Sequence, residues 1–184
     1  MWRGQVDCGD ARRERRPEVS DPVKSSERDG QALQVVVFRL GQTWLAWPVS
    51  ALDEVATVRA IQPVPHRRGA QLKGVGNVRG VLLPCVNLSS VLQIAAHAGT
   101  TEDAARAQAR GRLLVLTSAK GKIMVEVDEV DAVQTVRLDA LDVQAAHEGE
   151  GVGAYLMGWR TDGMRRIGLL DHRRVHAALE RAMQ

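Results

Sequence analysis

LKGVGNVRGVLLPCVNLSSVLQI, residues 72 to 94, interleaves glycines, one arginine and an apolar run at the spacing of β-strands. Gly74, Gly76 and Gly80 fall at even spacings in a segment that otherwise reads as strand, which marks a bend, a bulge or a close approach of backbone. Val81, Leu82 and Leu83 form a short apolar run that Pro84 interrupts. Proline has no N–H to give to a ladder, so this strand is expected at a sheet edge or a barrel corner, with Arg79 at its open end. An arginine held outward on stiff backbone presents a planar fork of donors, which makes it a recognition handle.

Working outward toward the N-terminus, the segment from Gln34 alternates, with Val36, Phe38 and Leu40 on one face and Val35, Val37 and Arg39 on the other. Gly41 and Gln42 fit a two-residue hairpin turn, and Thr43 to Val49 returns as the partner strand. Ser50 can cap a helical turn over residues 51 to 55, which sets Glu54 at the start of the next crossing. Residues 56 to 61 read as a third strand, ended by Pro63 and Pro65, and residues 72 to 87 supply two more. Five short strands with tight turns point to a small barrel. Trp44, Trp47 and Trp159 are then barrel wall rather than contact surface.

Toward the C-terminus, Leu88 to Ile94 reads as a helical turn, and the Ala/Gly/Thr-rich, charged residues 95 to 111 read as a linker or a weak exposed helix. A second strand set starts at Arg112, turns near Lys120 and Gly121, and returns with Ile123, Val125 and Val127 inward and Lys122, Met124, Glu126 and Asp128 outward. Residues 132 to 138, 155 to 160 and 165 to 170 add strands. Asp171 caps a final helix carrying Val175, Ala178, Leu179 and Ala182 at helical spacing. The chain therefore reads as two similar β units joined near residue 110 and closed by a C-terminal helix.

Composition narrows the function classes. A chain of 184 residues can bury a real core as one domain or as two small barrels sharing an interface. One Phe and one Tyr beside four Trp leave few platforms for stacking bases, and no Lys/Arg stripe extends beyond short pairs such as Arg67 and Arg68, so nucleic acid is not an expected partner. Residues 1 to 30 hold seven basic and seven acidic side chains with almost no apolar periodicity, and are expected to form a disordered tail. Cys8 and Cys85 supply neither a disulfide framework nor a metal knuckle, so a reducing cytoplasm is the simplest compartment. The chain has no apolar run of about 18 residues, so direct membrane insertion is not expected.

Catalytic signatures are also missing. GVGNVRG would need glycine where Arg79 stands to be a dinucleotide loop, and no βαβ unit follows it. Of the five histidines, His172 and His176 share a helix face but lack a third metal ligand nearby in sequence. Cys85 lies inside an apolar strand with no activating partner, as a small core residue does. No nucleophile elbow, phosphate loop or kinase signature is present. The expectation is a protein without catalytic residues, metal or cofactor.

FRLG at 38 to 41, DEV at 53 to 55, GVGNVRGVLLPCVNL at 74 to 88, VDEV at 127 to 130 and YLMGW at 155 to 159 resemble the CheW-like coupling proteins of bacterial chemosensory systems. The resemblance covers residues 34 to 180, and its most specific element is Gly-x-x-Asn-x-Arg-Gly-x-x-x-Pro. It implies a mainly β fold of two intertwined five-stranded barrels with short helices and a C-terminal helix. Residues 31 to 184 would form that domain: a first barrel about 34 to 94 plus the chain ends, the linker 95 to 111, a second barrel about 112 to 170, and the helix 171 to 183. It implies a cytoplasmic, non-catalytic scaffold associated with membrane receptor arrays through its partners. Those partners would be the cytoplasmic tip of a methyl-accepting receptor and the regulatory domain of a sensor histidine kinase. Glu54 and Arg79 carry over as binding positions, and Gly74, Asn77, Gly80 and Pro84 as motif-shaping ones.

Two departures accompany the resemblance. Asn87 stands where the family usually has Asp, and Glu126 where it often has glycine or an apolar residue. With the long tail, they point to an alternative pathway such as surface sensing. The competing expectation is a free-standing β-barrel that binds a small ligand or nucleic acid.

Overall fold

The computed structural model describes residues 30–57, 60–65, 71–95, 111–118, 120–144 and 151–183. The expectations for the N-terminal tail and for most of the 95 to 111 linker fall outside the described residues. The first half supplies β1 (Ala32–Leu40), β2 (Thr43–Pro48), β3 (Leu52–Thr57), β4 (Ile61–Gln62), β5 (Leu72–Val78), β6 (Val81–Val86) and helix α1 (Leu88–Leu92). The second supplies β7 (Arg112–Ser118), β8 (Gly121–Val127), β9 (Glu129–Arg137), β10 (Leu156–Asp162), β11 (Arg165–Leu170) and helix α2 (His172–Ala182).

These strands form two sheets, and neither is built from one contiguous half of the chain. The five-stranded sheet runs β10-β11-β2-β1-β9, and the six-stranded sheet runs β3-β7-β8-β6-β5-β4. Each contains one short parallel link between distant segments: β11 beside β2, through Ile167, Gly168 and Leu169, and β6 beside β8, through Cys85 and Val86. The chain thus crosses between sheets after β2 and again after β8, which intertwines them.

Both sheets curl back on themselves. In the five-stranded sheet, β9 and β10 are opposite edges, which in a flat sheet would lie about 19 Å apart at four strand spacings. Instead Gln134 Nε2 on β9 donates to Asp162 Oδ2 on β10 at 3.3 Å, and Arg165 beside the β10–β11 turn meets Asp131 of β9 at 2.9 Å. Side chains, rather than a backbone ladder, span the gap.

Curling explains the long apolar runs. Val35, Val37, Ala46, Val136, Ile167 and Leu169 fill the concave side of the five-stranded sheet. Val78, Leu83, Cys85, Leu113, Val115 and Met124 fill that of the six-stranded sheet. A third and larger cluster joins the two sheets: Phe38, Leu45 and Trp47 from one pack with Leu114, Ile123 and Val125 from the other, under Val175 and Leu179 of α2. Strands β1, β2, β7 and β8 therefore have two buried faces, and sequences such as VVVF and LLVL follow, as they do in doubly covered sheets. Each fully buried Val, Leu or Phe contributes roughly 1.5–3 kcal/mol relative to exposure, so this shared layer dominates the hold between sheets.

The structure departs from the sequence expectations at several places. The two units expected to meet near residue 110 are instead two sheets that each take strands from both halves of the chain, because β2 pairs with β11 and β6 with β8. The single strand expected over 56 to 61 is the end of β3 and the start of a separate β4. The turn after β2 is a single 3-10 turn at Val49–Ala51 and Ser50 does not cap it; Glu54 lies inside β3 rather than at its start. The extended backbone wins because β3 gains a full ladder with β7, from Leu52 opposite Leu116 to Thr57 opposite Arg112. Met124, expected outward, is fully buried, because the concave side of the curled sheet is a second core.

Candidate functional site

The 72 to 94 stretch forms the β5–β6 hairpin, with Val78 opposite Val81 and a two-residue turn at Arg79 and Gly80. Both turn residues have positive φ, 50° at Arg79 and 87° at Gly80. Such a turn matches the twist of the flanking strands, and its first position ordinarily takes Asn, Asp or Gly. Arginine there works against its own Cβ. Asn77 compensates, since its Oδ1 accepts the Gly80 N–H at 2.7 Å and pins the turn from two residues upstream. Gly80 meets the positive φ without steric cost.

The other motif residues act on backbone. At Gly74, with φ 154°, a Cβ would collide with the Gln62 carbonyl, so glycine lets β4 lie against β5. Pro84 pairs with Val75 on the β5 side, and the link from β6 to β8 begins only at Cys85 opposite Met124. Proline thus occupies the last position before β6 passes from sheet edge to sheet interior, where a missing N–H goes unnoticed. Asn87 caps α1, its Oδ1 accepting from Ser90 N at 3.2 Å. Asn and Asp cap about equally well, so this departure from the family's Asp keeps the cap and drops the charge.

Glu54 and Arg79 meet across the gap of the six-stranded sheet. Arg79 Nε lies 2.8 Å from Glu54 Oε2, although in a flat sheet their strands would stand at least about 14 Å apart. The pair is asymmetric: the Glu54 side chain is 19% exposed and that of Arg79 is 84% exposed. A half-sheltered carboxylate therefore holds an arginine that projects into solvent. The contact uses Nε, and most of the Arg79 side chain faces solvent. Next to it Lys122 Nζ bonds Asp53 Oδ2 at 2.7 Å, a second bridge from β3 across β7 to β8.

The ion pair separates two open hollows. One of about 390 Å³ is lined by Glu54 to Thr57 of β3, by Asn77 to Arg79 and by Arg112. The other, about 270 Å³, runs over Val78, Val81, Leu83 and Val115. Val55 in the first and Val81 in the second are exposed apolar side chains, and Leu82, next along β6, is 70% exposed. Sequence reasoning missed this apolar rim and the Asp53–Lys122 bridge. The available signal was the run Val81-Leu82-Leu83: three consecutive apolar residues on a strand with one solvent face must leave one of them outside.

The rest of the chemistry is quiet. Burial, with Glu126 nearby and Lys73 opposing, pushes the Cys85 thiol up to about 11, so almost no thiolate exists at neutral pH. No group of three or more His, Cys, Asp or Glu side chains that could hold a metal occurs among the described residues. No described helix is long and apolar enough to cross a membrane.

Comparison with known proteins agrees with this geometry. The crystal structure of the scaffolding protein TtCheW from Thermoanaerobacter tengcongensis superposes with a TM-score of 0.60 at 16% identity, covering 79% of this chain and 88% of that one. Among curated protein sequences none matches this one. The family model described as CheW-like domain matches residues 34–180. That span takes in both sheets, the β5–β6 hairpin and nearly all of α2, and the chain belongs to the CheW-like domain family.

Proposed function

We propose that this protein is a non-catalytic coupling scaffold of a chemotaxis-type signalling system, joining the cytoplasmic tip of a methyl-accepting receptor to the regulatory domain of a sensor histidine kinase. One observation carries the reading: Arg79 is held in a left-handed turn at a hairpin tip, gripped through Nε by Glu54, and is otherwise open to solvent. A fold gains little from such an arrangement, because an exposed ion pair contributes roughly 0.2–1 kcal/mol and the arginine's backbone conformation costs about 1–2 kcal/mol. A partner gains much more, since a pre-oriented guanidinium loses less entropy on docking than a free one. The exposed Val55 and Val81 beside the pair supply apolar area for burial around that charge.

Simultaneous engagement needs only modest pairwise affinity, since an array adds avidity. Binding assays with an immobilised receptor tip and with the kinase regulatory domain are expected to give dissociation constants in the micromolar range. Retention of an oligonucleotide with neither protein retained at tens of micromolar would instead support a free-standing barrel lined by Arg79 and Arg112. A diguanylate cyclase gene beside those for receptor, kinase and methyltransferase would point to a surface-sensing role for the coupler.

A further inference from the structure

Helix α2 lies over the cluster that joins the two sheets, and one of its buried-side residues is polar. His176 stands one residue after Val175 and one turn before Glu180, and its ring meets the Trp47 ring edge to face at 5.3 Å between centroids. Both imidazole nitrogens are shut off from solvent without a hydrogen-bond partner among the described residues, and so is Trp47 Nε1. Trp47 is fully buried in β2 and belongs to the shared cluster. An indole N–H can only donate. A neutral imidazole keeps one acceptor nitrogen, whereas an imidazolium has two donors and none. Neutral His176 leaves one N–H unpaired in this environment, whereas charged His176 leaves two and a charge, so the environment favours the neutral form.

From this geometry we propose that His176 makes the seating of α2 on the shared core proton-sensitive, so that mild acidification loosens the helix that locks the two sheets together. The charged groups around the ring do not offset the cost. His172 lies one turn back on the same helix face, with 6.4 Å between ring centroids, and would add like charge if protonated. Glu180, one turn on, would favour the imidazolium, but it is already bonded to Lys120 of the β7–β8 turn at 2.9 Å. That lysine and the Ser118 hydroxyl hold the Glu180 carboxyl below the usual carboxylate range. Trp47, the contact from β2, carries no charge.

Burial holds the His176 imidazole below its ordinary 6.5, His172 adding to the effect and Glu180 opposing it. The sign follows from linkage: the unseated state takes up its proton near 6.5 and the seated state only at lower pH. Stability is fully present above that value and is lost as pH falls from about 6.5 toward the lowered pKa.

The experiment is an NMR titration of the His176 ring in the full chain, combined with hydrogen exchange of α2 amides at pH 7.5 and 5.5. The expected result is a His176 midpoint below 6.5, with protection factors in α2 falling on acidification more than those in β1. A variant, His176→Phe, keeps the ring contact without the proton and should lose this extra α2 response. A midpoint at or above 6.5, or an α2 response unchanged in His176→Phe, overturns the proposal. Should the variant fail to fold, the native titration decides alone.

Discussion

At the scale of single residues, the informative feature is a conflict between local preference and sequence at position 79. The turn wants Asn or Gly, and the chain places Arg there with φ 50°. Residues held in sparsely populated backbone regions persist where something else requires them. Replacing Arg79 by Asn should relax the turn while deleting the guanidinium, so stability is expected to hold or rise by up to about 1 kcal/mol in urea unfolding. Receptor-tip binding should fall at least tenfold in the same variant. A loss of stability above about 1 kcal/mol would mean that the arginine serves the fold. The sequence exposed the positions of Glu54 and Arg79 through the family pattern, and their approach to 2.8 Å depends on a curl that no local residue pattern encodes.

At the scale of elements, sequence was most legible where one rule acted alone. Gly41 at a positive-φ hairpin position, the strand Arg165–Leu170 and the Asp171 cap, accepting from Arg173 N and Arg174 N, all lie where turn and capping chemistry put them. It was least legible where tertiary pairing overrode a local preference, as at β3, whose residues 51 to 55 resembled a capped helical turn until β7 offered a ladder. Met124 was misplaced for a related reason: a period-two pattern assumes one buried face, and β8 has two. Helix α1 spans five residues and leans on its cap, which makes it a fair test of element-level reasoning. Asn87→Ala is expected to cost about 1 kcal/mol and Asn87→Asp close to nothing, measured by thermal unfolding. Equal losses in both variants would show that Asn87 is held by something other than the cap.

At the scale of the whole molecule, two curled sheets share one apolar layer, and polar side chains bridge the gap in each. Arg165–Asp131 and Gln134–Asp162 span one gap, and Glu54–Arg79 spans the other. On the proposed function, this division of labour separates stability from recognition. The shared layer holds the sheets together, while the bridge at Arg79 leaves charge and apolar rim facing outward. Surface substitutions at that bridge should therefore change coupling without changing the fold. The direct measurement is receptor-dependent stimulation of the histidine kinase in a reconstituted mixture of receptor, kinase and this protein, wild type against Arg79→Glu, with circular dichroism on both. Loss of stimulation with an unchanged spectrum and thermal midpoint is the expected result. Undiminished stimulation by the folded Arg79→Glu protein would contradict the assignment of this seam as the coupling surface.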